Sequence, residues 1–532
     1  MRVPTDRPWF DFWPYGVPKQ IEYPKAPLYQ FLIDSARRCP HRPAVTCGEV
    51  TLTYQELDLK STRFANALQE LGIEKGDRVM ILLPNAPEFV VAYFGILKAG
   101  AIMTAASPLC KENEIKRHIT DADPTIIVCE NRIAPLMKDI VSEGSKRLLI
   151  VVGGPEDTGD YMFEDLIEKS SSSFSHIDIR PEDDIAVLQY SGGTTGLPKG
   201  AMMTHSNLVA NAIQNGMWFK WTQTDIVLGV LSLCHTWGLC TCINSSIHAG
   251  ASILLVRRFD PEEILSVIEK EKISIAYGSA SMFNMLLTSP DIEKHNLSSL
   301  RLTKAGAMPV PTELKRKWDA MGACELVLGY GLTEASPETH DSPPERVKPG
   351  TIGIPIVDTD AKIVDIETGT READSAEVGE LIVRGPQVMK GYWNNQEETS
   401  HTLRDGWLFT GDIAKMDKEG YFYIVDRKKE LIKYKGYSIF PAELENIFYE
   451  HSAVKECAVV GKPSAHVGEI PKAYIVRKEG TTITAQDVIA FAEKRIAPFK
   501  RIREVEFVRE LPKSVVGKTL RRELRERAAN TL

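Results

Sequence analysis

Long hydrophobic runs are missing from this sequence. No window approaches the roughly 18 uncharged apolar residues that a membrane-spanning helix needs. LLIVV (148–152) and SILLV (252–256) are strand-length and bounded by polar residues. The opening MRVPTDRPWFDFWPYGVPKQ is aromatic and proline-rich without a continuous apolar core, so no secretory signal is expected. There is no C-x-x-C pair; the nine cysteines are odd in number and scattered, which fits reduced thiols in a cytoplasm better than a disulfide framework. Strong net charge is absent as well: 64 basic against 72 acidic residues leave −8, and nothing in that balance calls for a nucleic-acid partner. Repeats and low-complexity tracts are lacking. A cytoplasmic protein without transmembrane segments is expected, with peripheral membrane contact and homodimer formation left open.

What is present is 532 residues, enough for two or more domains, with the 43% hydrophobic content of an ordinary globular protein. From about Leu52 the pattern alternates. YQELDLKSTRFANALQELGI has helical spacing, DRVMILLP reads as a buried strand, PEFVVAYFGILKAG is helical and AIMTAA is a strand. IAVLQYS, IVLGVLSL, ASILLV, ISIAYGSA, LRLTKAGA and CELVLGYG continue the strands between helical stretches such as PEEILSVIEKEK. Runs apolar on both faces predict parallel strands covered by helices, an α/β layering. After about Gly350 short strands with turn glycines predict a β-rich subdomain, and the last hundred residues an α+β unit. The charged DRKKELIKYKG (426–436) is the expected boundary. The predicted organisation is therefore a large domain, 1–425, of layered α/β subdomains plus the β-rich part, and a small mobile α+β domain, 426–532.

YSGGTTGLPKG (190–200) packs glycines, hydroxyls and one lysine together. Gly192, Gly193 and Gly196 permit close backbone approach to an anion, Ser191, Thr194 and Thr195 add hydroxyls, and Lys199 adds charge. Between the strand IAVLQYS and a helix expected over MMTHSNLVANAIQNG, capped by Thr204 or Ser206, it reads as a strand-to-helix loop. It is not a Walker loop, because Lys199 follows proline and precedes Gly200. A phosphate cradle and a plain surface loop both fit this segment alone.

Four further segments decide between them. YSGGTTGLPKGAMMTH, GYGLTEASP (329–337), GWLFTGD (406–412), DRKKELIKYKGYSIFPAELE (426–445) and PKSVVGKTLRREL (512–524), in this order, resemble the adenylate-forming superfamily from about residue 27 onward. That superfamily includes acyl-CoA synthetases, aryl-CoA ligases, luciferase and peptide-synthetase adenylation domains. Gly192 stands where many members carry serine.

The resemblance implies ATP, Mg²⁺ and coenzyme A as cofactors and an acyl-adenylate intermediate. It makes Lys518 the charge between carboxylate and α-phosphate. Glu334 becomes the Mg²⁺ carboxylate with Thr195 a weak second donor, Thr333 an α-phosphate donor, and Tyr330 with Gly331, Gly306 and Ala307 the surroundings of adenine. Asp412 and Arg427 become ribose contacts, Asp426 the hinge, and Lys435 with Gly436 the face turned inward for thioester formation. Lys199 either touches phosphate or holds the loop to the small domain. His235, in LSLCHTWG, matches the residue beside the acyl carboxylate, although a lone histidine between apolar residues also fits a packed core. Cys234, Cys240 and Cys242 match no zinc template.

Trp237, Tyr277, Gly278, Met282, Met308, Gly329, Gly331, Ala335 and Ser336 are the expected acyl walls. Glycine at 331, where acetate-specific members carry tryptophan, implies a deeper cavity. The N-terminal region and the phosphate-loop context are most similar to long-chain fatty-acid CoA ligases, so a medium- or long-chain fatty acid is expected. An aryl- or cyclic-acid ligase is the alternative. Lower still come a carrier-protein-loading enzyme, since no carrier domain follows before Leu532, and a non-catalytic nucleotide-binding protein.

Overall fold

The computed structural model describes residues 7–142, 147–155, 158–191, 199–435, 437–464, 466–513 and 519–530. The residues Gly192 to Gly196 of the glycine-rich loop, with Thr194 and Thr195, lie outside this set, as do Gly436 and Lys518. The described chain divides into two compact units, one from 7–191, 199–360 and 383–408, the other from 361–382 and 409–530.

The first unit is built on two large sheets. One has eight strands in the order Gly391–Tyr392, Lys199–Thr204, Ile185–Ser191, Ile102–Ala105, Arg78–Leu82, Ile126–Glu130, Leu148–Val152 and Tyr161–Met162. Its six strands from Ile185–Ser191 onward are parallel, and the first two are antiparallel additions. The other has nine strands: Ile354–Pro355, Glu338–Asp341, Leu326–Gly331, Leu302–Gly306, Ile275–Ser279, Ile226–Gly229, Ser252–Leu255, Pro43–Cys47 and Val50–Thr53. It is parallel from Leu326–Gly331 to Pro43–Cys47 and closed by antiparallel pairs at both ends. The apolar runs therefore form the parallel strands that their two-faced burial predicts.

The helix Pro87–Lys98 is buried at every position except Glu88 and packs against strands of both sheets, which is why its sequence is apolar all round. Lys98, at its end, lays its ammonium against the Asp58 carboxylate, Ser61 and Thr62. Asn85, just before this helix, donates to the carbonyls of Gly229 (3.0 Å) and Leu231 (2.9 Å) and accepts the Leu233 N–H (3.0 Å). One side chain thus pins the eight-stranded sheet to the loop that follows Ile226–Gly229.

One expectation fails. Lys199–Thr204 is a strand antiparallel to Ile185–Ser191, with Ser191 opposite Lys199, so the glycine-rich segment joins a hairpin and not a strand to a helix. The helix begins at His205, where Thr204 and Asn207 form a reciprocal capping box. KGAMMT is mostly buried and finds a ready partner in the preceding strand, and that pairing outweighs helical spacing.

Asp360–Val364, Gly379–Arg384, Trp407–Met416 and Leu403–Arg404 form a small sheet, with Phe422–Arg427 added to Trp407–Met416. A further sheet joins Tyr437–Ile439, Ile432–Tyr434, Gly468–Arg477 and Val454–Ser464, with Glu504–Phe507 parallel to Gly468–Arg477. The helices Pro441–Tyr449 and Ala485–Glu493 cover one face of it, around Phe448, Val459 and Ile475; Arg521–Ala529 covers the other through Leu524 and Ala528. Among the described residues no helix is long and apolar enough to cross a membrane.

Candidate active site

Ligands of open parallel sheets sit beyond the carboxyl ends of the strands. Nearly every expected site residue of the first unit leaves such an end in the nine-stranded sheet. His235 and Trp237 follow Ile226–Gly229; Tyr277 and Gly278 lie in Ile275–Ser279; Gly306 ends Leu302–Gly306; Gly329, Tyr330 and Gly331 end Leu326–Gly331. Ser279 pairs with Gly306, and Ala305 with Leu328, so these ends lie in register.

His235 sits half-buried just before a helical stretch that runs into a π-wound segment, Gly238–Ser245. A Cβ on Gly238 would lie 2.3 Å from the Ser232 carbonyl oxygen, so only glycine lets the helix close on the loop carrying the histidine. The Trp237 backbone N–H donates to His235 Nδ1 (3.2 Å). That bond puts the proton of the neutral ring on Nε2, which makes Nε2 a donor. The Trp237 ring meets Tyr277 edge-on at 6.2 Å between centroids. It also lies against Gly306, where an added Cβ would be 3.3 Å from it. Met308 accepts a weak bond from the Ser281 hydroxyl (3.5 Å) and packs at the edge of an apolar core holding Phe283.

Ala307, directly after Gly306, is exposed and has φ +63°, and Ser336 has φ +66°. Such left-handed backbone is costly for residues with a Cβ and clusters at functional sites. Between them Thr333–Ala335 forms one 3₁₀ turn, closed by Leu332 N–H to the Pro337 carbonyl (2.9 Å). This turn presents Thr333 and Glu334 while burying Ala335 and Ser336. Tyr330 stands across the edge hairpin from His340, ring centroids 5.8 Å apart.

The Glu334 carboxylate accepts the Tyr392 hydroxyl (2.8 Å), and the Glu334 carbonyl accepts the Met389 N–H (2.9 Å). Burial, and then the carboxylate beside it, push the Tyr392 phenol above its ordinary range, so it stays a donor. A half-buried carboxylate held in one orientation is the hard oxygen donor that Mg²⁺ takes, and Glu334 fits that ion. Lys199 pairs its ammonium with Glu398 and lies 5.5 Å from the Tyr392 ring centroid. Just before the glycine-rich segment in sequence, Tyr190 donates to Asp121 and stacks on His118 at 4.6 Å, which fixes the strand Ile185–Ser191.

The Cβ side of Gly331 is already filled: a side chain there would meet the Pro337 carbonyl oxygen at 2.3 Å. Glycine at 331 is therefore demanded by close backbone packing, a reason separate from the deeper cavity expected from the sequence.

In the second unit Asp412 is nearly fully buried, and its carboxylate receives Arg427 Nε at 2.9 Å, the two being cross-strand partners. Glu380 braces this strand pair, accepting the Gly411 N–H (3.2 Å) and the Lys428 ammonium (2.7 Å). Asp426 lies within the strand Phe422–Arg427, opposite Ile413, and accepts the N–H groups of Arg427 (2.7 Å) and Ala442 (2.9 Å). Burial, opposed by those two bonds, raises its carboxyl to about 6. Lys435 is exposed, with φ +49°.

Comparison with known proteins settles the family. The model of the AMP-binding enzyme matches residues 32–393, and that of its C-terminal domain matches 443–518. The chain belongs to the AMP-binding enzyme family. It is 38% identical to the long-chain-fatty-acid–CoA ligase of Bacillus subtilis, over 98% of either chain. To 4-coumarate–CoA ligase 2 of Solanum tuberosum it is 36% identical, over 96% of this chain and 95% of the other. The crystal structure of ATP-bound MatB from Rhodopseudomonas palustris superposes with a TM-score of 0.88 at 30% identity, over 95% and 99% of the two chains. This family member is an AMP-forming acid–thiol ligase, a class that works with ATP, Mg²⁺ and coenzyme A.

Sequence reasoning missed several residues of this AMP-binding enzyme. Tyr392, which orients Glu334 from 58 positions away, carries no local signal. Asn85, which fixes the histidine loop, has none either. Lys304 did carry one: it is an ammonium inside the otherwise apolar strand LTKAG.

Proposed function

We propose that this enzyme activates a carboxylic acid as its acyl-adenylate and passes the acyl group to the thiol of coenzyme A. A carboxylate oxygen attacks the α-phosphorus of ATP, and the bond from that phosphorus to pyrophosphate breaks. The thiol sulfur then attacks the acyl carbon, AMP departs, and the thiol proton passes to solvent. The observation that carries this reading is the gathering of His235, Trp237, Tyr277, Gly306 and the Tyr330–Glu334 segment at adjacent carboxyl ends of one sheet.

His235 donates from Nε2 to the acid's carboxylate and holds it for attack. Tyr330 offers its ring to adenine, the Gly306–Ala307 backbone borders the base, and Thr333 donates to the α-phosphate. Mg²⁺ would be held by Glu334, with Thr195 a weaker donor, and supplies positive charge against the phosphate oxygens. Asp412 accepts the ribose hydroxyls while Arg427 keeps its carboxylate oriented. Lys518 places its charge where carboxylate and α-phosphate meet. Asp426 serves as the hinge of a small domain beginning there, and Lys435 with Gly436 belong to the thioester-forming arrangement.

For the acid we propose a medium- or long-chain fatty acid, supported by the 38% identity to the Bacillus ligase across both whole chains. An aryl acid is the second reading, favoured by the 4-coumarate relative and by the Trp237–Tyr277 aromatic pair. Acid-dependent pyrophosphate exchange, and AMP release with and without coenzyme A, measured over both acid series, tests the proposal. Lys518→Ala should lower exchange about 10²–10³-fold with ATP still bound. Full exchange in that variant would remove Lys518 from the chemistry, and AMP release without any acyl-CoA product would remove the thiol acceptor.

A further inference from the structure

Behind the expected acyl walls lies a group of charges that the reaction above does not use. The Lys304 ammonium is bonded to the carboxylates of Glu338 and Asp341, and all three side chains are at most 3% exposed. Asn215 donates to the second Glu338 oxygen, and Asn211 donates to the Glu338 carbonyl (2.9 Å). The rings of Tyr277 and Phe219 flank the ammonium, 5.6 and 5.2 Å from Nζ.

This cluster is continuous with the acyl walls. Lys304 pairs in register with Tyr277, whose ring meets Trp237. On the other side, a Cβ on Gly329 would lie 2.2 Å from Asp341 Oδ1 and 2.4 Å from Lys304 Cε, so the cluster packs directly on that glycine. A Cβ on Gly306 would in turn lie 3.3 Å from the Gly329 carbonyl oxygen. Beyond Asp341, Trp218 Nε1 donates to the Ser342 carbonyl (3.3 Å), and Trp13 packs on Trp218 at 5.0 Å, which closes the far side with indole rings.

The cluster is not self-sufficient. An ammonium has three protons, and Lys304 has two oxygen partners among the described residues. Asp341 Oδ2 is fully buried and has no hydrogen-bond partner among them. A buried N–H and a buried carboxyl oxygen are thus both left over at the end of the same wall. A hydroxyl group both accepts and donates, and one hydroxyl placed there satisfies both. A methyl terminus satisfies neither.

We infer that Lys304 and Asp341, steadied by Glu338, form the far end of the acyl site and select acids whose tail ends in a hydroxyl group. This rests on the ligase reading above and on Trp237, Tyr277 and Gly306 as acyl walls. It holds for either series, an ω-hydroxy aliphatic acid or a ring carrying a hydroxyl opposite its carboxylated side. Sites built to hydrogen-bond a substrate hydroxyl reject the analogue that lacks it far more strongly than apolar pockets reject one methylene.

The test is acid-dependent pyrophosphate exchange on matched pairs: ω-hydroxy and unsubstituted acids of six to twelve carbons, and 4-hydroxycinnamate against cinnamate. The hydroxylated member of at least one pair should have the higher kcat/KM by about tenfold or more. In the variant Lys304→Met/Glu338→Val/Asp341→Leu that ratio should fall to unity or reverse, with the KM for ATP unchanged. Preference for the plain acid in every pair overturns this inference and leaves the ligase reading standing. So does a ratio that survives in the folded variant. If the variant fails to fold, the wild-type ratios alone decide. Exchange with none of the acids by wild-type enzyme that ATP still protects against heat would overturn both.

Discussion

The two large sheets share one plan, with parallel strands in the middle and antiparallel strands at an edge, yet they are filled differently. In the eight-stranded sheet Met80, Leu82, Ile127, Cys129, Leu149 and Val151 bury against helix residues such as Ile115 and Ile119. In the nine-stranded sheet Lys304, Glu338, Thr339, His340 and Asp341 are buried just as deeply. Burial holds the His340 imidazole down at about 3 and pushes the Asp341 carboxyl well above its usual range, with the Glu338 charge adding to the shift and Lys304 opposing it. A buried ionic cluster is often less stabilising than an apolar filling of the same volume. The apolar sheet is a scaffold; the polar one carries the groups that we propose face the reaction.

The two sheets should differ most in their response to substitution at Lys304. Lys304→Met strands two buried acids and should cost about 3–5 kcal/mol, whereas Ile127→Val in the apolar sheet should cost about 0.5–1.5 kcal/mol. Urea unfolding midpoints measure both, and similar losses would erase the distinction between the sheets. A smaller effect is expected where an edge residue of the eight-stranded sheet reaches the site. Tyr392→Phe removes the hydroxyl that orients Glu334 and should raise the half-saturating Mg²⁺ concentration about tenfold or more in the exchange assay. An unchanged Mg²⁺ dependence would reduce Tyr392 to packing.

The smallest effect concerns pH. The fold favours the neutral form of Asp341, so the stability this group contributes is complete below about pH 4, the ordinary aspartate range, and is lost as the pH rises through its raised folded value. Asp341→Asn cannot ionise. Its Tm should gain on the wild type by about 2 °C or more between pH 5 and 8, with the gap widening as pH rises. A Tm difference that does not vary with pH in scanning calorimetry would mean that Asp341 is charged throughout.

Much of this was legible in the chain. The parallel strands announce themselves as short runs apolar on both faces, and the motif segment at 329–337 does start at a strand end. The hairpin at Lys199–Thr204 was not legible, because KGAMMTH suits a helix start until its partner strand is known. Nor was the Lys304 cluster. A lysine in LTKAG and two acids in ETHD each look anomalous alone, and only the sheet order, which sets their strands on either side of Leu326–Gly331, makes residues 34 positions apart partners.

The sequence by itself determined the α/β layering, which follows from the local periodicity of its apolar runs, and the order of the motif segments, whose resemblance to the superfamily implies the groups proposed for phosphate, ribose and metal. Only the tertiary structure decided that Tyr392 aims Glu334, that the Trp237 backbone N–H sets the His235 tautomer, and that Tyr277 and Gly329 adjoin a buried ammonium between two carboxylates. Orientation and burial are fixed by neighbours that the chain brings in from a distance, and no local pattern encodes them.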